Sequence, residues 1–387
     1  MHYLRRCWAE INLDNVLYNY NLYRDKIKNE QSRIIAVVKA NAYGHGANQV
    51  AKLLQDNGCD YFAVSNATEA INLRKSGICG NIMLLGFTPL DSISELIKYN
   101  IIVTITSTAY ALALNDLAIR LNKVIPAYVK LDSGMGRIGF ICGEKNTVDE
   151  IYAISKLSNL TLQGAFTHLC VADSQKDEDK LYTRNQISAF EQTIDKLKEL
   201  EVPLPLLHCC NSAGGHYLST KHKSAIRLGI SLYGLTFSDG DIEGLPLRPA
   251  MTLKTAISNI KTIHSGQSVS YGRRFIASKD TVVATVTMGY ADGYSRQLTN
   301  KGQMYLNGKL VNVIGTVTMD QVMLDITGVN ASIGDEVTVF GGQGLTCTQL
   351  ANSINTINYE ITCNISARVP RIYIKDNKII EVVDHTY

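Results

Sequence analysis

The stretch IIAVVKANAYGHG, residues 34–46, sets five apolar residues directly before Lys39 and a loop of Ala, Asn, Tyr, Gly and His directly after it. A continuous apolar run of this kind is expected of a parallel strand buried on both faces. Lys39 then falls at the strand's carboxyl end, where barrels and open sheets carry their chemistry. An amine among apolar groups loses its proton more readily, and the neutral amine attacks carbonyls. The chemistry this predicts is a Schiff base with an aldehyde cofactor.

Other apolar runs also end in polar residues. Lys130 and Asp132 close IPAYVKLD, His168 closes LQGAFTHL, His208 with Asn211 and Ser212 ends LPLLHCCN, and Arg227 with Gly229 lies in SAIRLGIS. Each alone reads as a satisfied polar group finishing a strand. Together they predict a site for an anionic ligand. Backbone amides of RLGIS and the Ser212 hydroxyl could cradle a phosphate, and Arg227 could face the ring nitrogen of pyridoxal phosphate.

Eight apolar runs must position these residues: 34–39, 61–65, 82–87, 101–106, 125–132, 162–169, 204–211 and 224–231. Between most of them, stretches such as ANQVAKLLQDNG, NATEAINLRKSG and RNQISAFEQTIDKLKEL repeat apolar residues every three or four positions, as helices do. Alternating strands and helices predict an α/β fold, a (β/α)8 TIM-type barrel. Later segments such as TVVATVTMGY and KLVNVIGTVTMDQVMLDI alternate with a period of two between Gly-rich turns, which predicts a mostly-β domain. The expected domains are residues 1–240 and 241–387, with the boundary in FSDGDIEGLPLRP, 237–249. WAEINLDNVLYNYNLYRDKI reads as a short strand and a helix capped by Asp14, free to pack on either domain.

Composition narrows the function. The chain has 387 residues, 45% hydrophobic and 19% charged, with a formal net charge of +3. That balance, without an arginine-rich patch interleaved with aromatics, points to a small-molecule ligand rather than nucleic acid. The first residues lack an apolar signal core and no stretch is long enough to span a membrane, so a cytoplasmic protein is expected. Nine cysteines without a C-x-x-C pair predict reduced, mostly buried thiols and no metal centre; Cys209 and Cys210 are expected on opposite faces of a strand.

In chain order, WAEINLDNVLYNY, AVVKANAYGHG, KLDSGMGRIGF, HCCNSAG, IRLGISLYG, VSYGRRF, MGYADGYSR, TMDQVMLDI and ISARVPRIY resemble the motifs of the alanine racemase family across essentially the whole chain. The resemblance implies a barrel followed by a β domain, and a head-to-tail homodimer whose subunits complete each other's sites. It implies pyridoxal 5'-phosphate bound to Lys39, its phosphate met by Tyr43, Ser212, Gly229 and Ile230, and its ring nitrogen by Arg227. His168 and Asn211 would support the cofactor and that arginine, and Arg137 would meet the ring oxygen and the substrate carboxylate. Lys130 matches a lysine that is often carbamylated. From the partner would come Tyr271, the second base, and Met319, whose amide meets the substrate carboxylate. Asp173, Tyr290, Thr316, Thr318, Asp320 and Ala367 match pocket and entrance positions. The implied activity is interconversion of L- and D-alanine, supplying D-amino acid for peptidoglycan.

Racemisation removes the Cα proton from one face and returns one to the other, so it needs two bases. Lys39 and Tyr271 supply them, with Arg273, Arg274 or His168 as nearby positive charge favouring the phenolate. An arginine at the ring nitrogen keeps it unprotonated, which makes the cofactor a weaker electron sink and suppresses transamination. Three positions depart from the resembled family, which usually carries Arg at 316, Cys at 318 and Tyr at 367. Ala367 in place of that tyrosine predicts a roomier pocket admitting serine or larger amino acids. A decarboxylase of the same plan would place a carboxylate where Arg227 stands, and a non-catalytic cofactor carrier would lack the β domain.

Overall fold

A computed structural model describes residues 6–27, 32–218, 224–237 and 242–384. All eight expected strands form. Arg33–Val37, Tyr61–Val64, Asn81–Leu84 and Ala225–Leu228 make one parallel sheet in the order Ala225, Arg33, Tyr61, Asn81. Val103–Ile105, Ile125–Asp132, Leu160–Phe166 and Leu206–His208 make a second, with the short strand Phe140–Ile141 on the side of Ile125–Asp132. A parallel bridge between Met83 and Ile102 joins the sheets at one edge. At the other edge the Arg227 N–H donates to the Cys210 carbonyl at 3.0 Å.

The helices cover the outer faces of these strands. Ala47–Asp56 buries Ala47, Val50, Ala51, Leu53 and Leu54, the spacing of one helical face. The long helix Asp177–Glu199 opens on Asp177, Glu178 and Asp179 and ends with Lys196 and Lys198, charges that complement the helix dipole at both ends. Between sheet and helices the strands are buried on both sides, as the uninterrupted apolar runs require.

The carboxyl-terminal strands form a nine-stranded, largely antiparallel sheet. Its order is Thr281–Val286, Val322–Asp325, Lys309–Val313, Gln303–Leu306, Glu336–Phe340, Met251–Ile263, Cys7–Asn12, Arg371–Lys375 and Lys378–Val383. Thr281–Val286 also pairs with Met251–Ile263, so the first six strands close on themselves. The amino-terminal strand therefore belongs to this sheet, antiparallel to Met251–Ile263 and parallel to Arg371–Lys375.

Two local expectations are corrected. The helix Leu13–Lys26 is capped by Asn12, whose side chain accepts from the Asn15 N–H at 2.9 Å, and Asp14 lies in its first turn. Cys209 and Cys210 lie beyond the strand Leu206–His208, both buried, with their sulfurs 3.8 Å apart rather than on opposite faces. Part of the expected domain boundary, residues 238–241, lies outside the described residues.

Candidate active site

Lys39 leaves the end of Arg33–Val37 and enters a turn of unusual hand. Ala40, Asn41, Ala42 and Tyr43 all have φ between 50° and 54°, a left-handed helical turn built without glycine. Such a conformation costs about 1–2 kcal/mol per residue and persists only where the surroundings fix it. The Glu69 carboxylate accepts from the Ala40 N–H at 2.7 Å and from Ser65 N–H at 2.8 Å, tying two strand ends together. Asn41 accepts from Ala47 N–H at 2.9 Å, and buried His45 reaches the carbonyls of Ala42 and Tyr43, both at 3.0 Å, through Nδ1. The result returns Tyr43 to the same cavity as Lys39.

That cavity, about 610 Å³, opens at the carboxyl ends of the parallel strands. Lys39, Tyr43, Lys130, Arg137, His168, Asp173, Asn211, Ser212, Arg227, Gly229 and Ile230 all line it, as the sequence predicts. Burial first, and then the Arg137 guanidinium, push the Lys39 amine below the usual lysine range. As pH falls through that depressed pKa, the neutral amine that attacks an aldehyde disappears. Uptake of pyridoxal phosphate, followed by its visible absorbance, is therefore expected to slow in acid. Arg137→Ala should move the midpoint to higher pH, because it removes a positive charge that favours the neutral amine.

Arg227 is 4% exposed and held from several sides. One terminal nitrogen meets His208 Nδ1 at 2.8 Å and the His208 carbonyl at 3.2 Å. The other meets the carbonyls of Thr167 at 2.7 Å and Cys209 at 3.1 Å, and His168 Nδ1 at 3.2 Å. Its Nε–H has no acceptor among the described residues and is the donor left for a ligand. Burial lowers the Arg227 pKa to about 10, still charged at neutral pH. Burial and then Arg227 push His168 down to about 2, so this imidazole is neutral and supplies no positive charge to a phenolate, contrary to expectation.

The anion cradle expected from the sequence is organised around Ser212. Its hydroxyl oxygen accepts from the Gly229 N–H at 3.1 Å, which spends that amide within the protein. Gly229 matters instead for its missing side chain, since a Cβ there would stand 2.8 Å from the Tyr43 hydroxyl. The Ser212 O–H, the Tyr43 O–H and the Ile230 N–H at the start of a helical turn remain as donors for an anion. Asn211 acts one layer back: its oxygen caps the helix Ser212–Tyr217 at Gly214 N–H, 2.9 Å, and its amide donates to the Leu169 carbonyl at 3.2 Å.

Arg137 is carried by a loop that Asp132 holds. One Asp132 oxygen accepts from the N–H groups of Gly134, Met135 and Gly136 at 3.0, 2.8 and 3.1 Å, and the other from Arg137 N–H at 3.2 Å. Burial raises the Asp132 pKa, but these amides and Lys130 outweigh it and leave it below the usual carboxylate value. If Arg137 meets a substrate carboxylate, Asp132→Ala is expected to loosen this loop and lower kcat/KM by roughly tenfold to a hundredfold, chiefly through KM. Lys130, buried beneath, donates to the Leu131 carbonyl at 2.6 Å, and burial followed by Arg227 lowers its pKa to about 8.

Seven predicted residues do not line the cavity: Tyr271, Tyr290, Thr316, Thr318, Met319, Asp320 and Ala367. Tyr271, Met319 and Tyr290 are 75%, 52% and 43% exposed on the β sheet's loops. Thr316 is buried, and the Thr318 hydroxyl closes a turn on the Gln321 carbonyl at 2.8 Å. Tyr290 and Met319 are joined through Tyr290 N–H to Thr318 O, 3.0 Å, and Ala291 N–H to Met319 O, 3.1 Å. Beneath them buried Asp292 takes Arg6 at 2.5 Å and Arg368 at 2.8 Å, and Arg368 also reaches Asp320 at 2.6 Å. Asp292→Ala would leave Arg6 and Arg368 with only the exposed Asp320 as a shared counter-charge. An expected loss of about 3 kcal/mol, at the low end for buried pairs because both arginines reach solvent, is measurable from the denaturant midpoint.

Ala367 is exposed and lies outside this cavity. The cavity does contain a phenol that the sequence reading missed, Tyr359, with its ring 6.0 Å from that of Tyr43. Tyr359 lies in the short helix Asn358–Cys363, and an aromatic in NYEITC was the only signal of it.

Parallel strands bring a lysine of lowered pKa, an arginine held at both terminal nitrogens and an anion cradle to one mouth, the arrangement an α/β enzyme working through a lysine amine would need. Models of the alanine racemase amino-terminal and carboxyl-terminal domains match residues 11–237 and 250–373. Alanine racemase 1 of Clostridium acetobutylicum is 43% identical over 385 residues, 98% of each chain. The solved alanine racemase of Clostridium difficile 630 is 37% identical with a TM-score of 0.94, covering 100% of both chains. That of Bartonella henselae, with covalently bound pyridoxal phosphate, is 27% identical with a TM-score of 0.84, covering 95% of this chain and 99% of that one. The chain belongs to the alanine racemase family.

Proposed function

We propose that this protein interconverts L- and D-alanine with pyridoxal phosphate, in a homodimer whose two sites are each completed by the other subunit. The observation that carries the proposal is Lys39 at a strand end, in one cavity with an arginine whose only free donor is Nε and with the hydroxyls of Tyr43 and Ser212. These residues fit the cofactor: Lys39 for its aldehyde carbon, Arg227 Nε–H for its ring nitrogen, and Tyr43, Ser212 and Ile230 for its phosphate. When bound, pyridoxal phosphate acidifies the Cα proton of the amino acid by spreading the charge left behind.

The chain's own groups do the rest. Arg137 orients the substrate carboxylate. Lys39 exchanges a proton with Cα on one face. Arg227 stays charged and withholds its proton, which keeps the returning proton for Cα. Tyr271 is assigned the opposite face in the partner's cavity, and Met319 N–H, which has no acceptor among the described residues, is assigned to the substrate carboxylate. The exposure of Tyr271, Tyr290 and Met319 on an isolated chain supports this dimer reading. The lowered Lys130 pKa supports its carbamylation, since only the neutral form adds carbon dioxide and burial makes that form more accessible.

The two parallel sheets are read as one closed eight-stranded barrel. The Met83–Ile102 bridge and the Arg227–Cys210 hydrogen bond at the two seams support closure. Residues 1–240 and 241–387 are read as the two domains, with the first strand lent to the second. Among the described residues no helix is long and apolar enough to cross a membrane. Arg227 at the ring position, where the decarboxylase alternative needs a carboxylate, favours racemisation.

The likeness over nearly the whole chain to alanine racemases favours alanine over serine and larger substrates. A chiral assay of the purified, cofactor-loaded protein across the common L-amino acids tests both points. Alanine should be turned over fastest, and failure to racemise any amino acid would sink the proposal.

A further inference from the structure

The backbone around Tyr271 is the most unusual on the β sheet's loops. Ser270, immediately before it, has φ 64° and ψ −176°, a region nearly reserved for glycine. Two residues later Arg273 has φ 49°. Strain of this kind survives only where neighbouring groups over-determine it, and it gathers where geometry serves function.

Those neighbouring groups belong largely to one residue. The Ser270 hydroxyl donates to the Thr316 carbonyl at 2.6 Å, and the Thr316 hydroxyl donates to the Tyr271 carbonyl at 2.7 Å. Thr316 is 2% exposed and stands between two further anchors. Gly315 N–H donates to Asn300 Oδ1 at 2.6 Å, and Val317 N–H to Thr299 Oγ1 at 3.1 Å. The contact is close: a Cβ at Gly315 would lie 2.8 Å from the Val269 carbonyl. The Tyr271 phenol itself makes no hydrogen bond among the described residues, so its direction is set by the backbone that carries it.

We propose that Thr316 is a positioning residue for Tyr271, its hydroxyl closing a two-bond clasp that aims the phenol out of the β domain toward the second subunit's cavity. The proposal rests on the reading of Tyr271 as the second base. It requires a hydroxyl at position 316, whichever side chain bears it.

Thr316→Val removes the donor and keeps the shape, and Thr316→Ser keeps the donor. In amide hydrogen exchange read by mass spectrometry, on cofactor-free and loaded protein alike, Thr316→Val should exchange faster over residues 268–276 and nowhere else. Thr316→Ser should match the parent. In the loaded enzyme the valine variant should lose roughly tenfold in kcat for alanine, with KM and cofactor absorbance unchanged.

Solvent deuterium incorporation separates positioning from general damage. Exchange into the enantiomer whose Cα proton faces Lys39 should persist, while exchange into the other falls in step with racemisation. Unchanged hydrogen exchange with parental kcat overturns the proposal, as does an equal loss at both faces with altered cofactor absorbance. A Tyr271→Phe protein that still racemises alanine overturns the second-base reading instead, whatever Thr316→Val does to hydrogen exchange.

Discussion

Replacing Lys39 with alanine is expected to abolish racemisation and the visible absorbance of bound cofactor together, while leaving the fold intact. The side chain ends in a cavity already open to ligand, so its truncation removes an amine without breaking a core contact. Two functions vanish at once. Under the proposed function the amine anchors the cofactor and is one of two bases, where loss of a positioned base alone costs about 10²–10⁴-fold. Activity should fall below detection in a chiral assay. A variant that holds the cofactor and racemises within tenfold of the parent would show that another group is the nucleophile. Exogenous methylamine, supplying a free amine to the vacated space, should restore a small part of the rate.

Much of this site could be read before any coordinates, and the reason is the strand. Five apolar residues before Lys39 announce a strand buried on both faces, and the same reasoning finds Lys130 and His168 near the ends of their runs and Arg227 within its own. Strand ends converge, so residues far apart in sequence could be grouped without knowing a single distance.

What the strands do not carry was harder. The left-handed turn over Ala40–Tyr43 has no glycine to mark it, and its support comes from Glu69, a helix residue elsewhere in the chain. Tyr359 enters the cavity from a short helix of the carboxyl-terminal region, and nothing in local periodicity tells which of several aromatics there points inward. Thr316 read as an entrance residue because alignment to a motif fixes position but not orientation. Its burial follows from the Ser270 and Tyr271 backbone around it, which is a tertiary fact. Asp14 lost the helix cap to Asn12 by two residues, within the usual uncertainty of helix ends.

Mixing two dead proteins should give a live one. Lys39→Ala retains an intact Tyr271 and lacks the amine; Tyr271→Phe retains the amine and lacks the phenol. If each cavity takes Lys39 from one subunit and Tyr271 from the other, a mixed dimer holds one site with both bases and one site with neither. Random reassociation of equal amounts makes about half of all dimers mixed, each with one intact site, so recovery of roughly a quarter of parental activity is expected. The measurement is a chiral assay on co-refolded or co-expressed subunits, against each variant alone. Recovery cannot come from a site built within one chain, because no chain in the mixture carries both residues. If instead the exposed phenol at position 271 folds back over its own cavity, every chain stays defective and the mixture is as inactive as its components. The physical ground for expecting recovery is exposure: Tyr271 and Met319 stand outside the cavity that holds Lys39, with most of the phenol in solvent, as the proposed dimer requires.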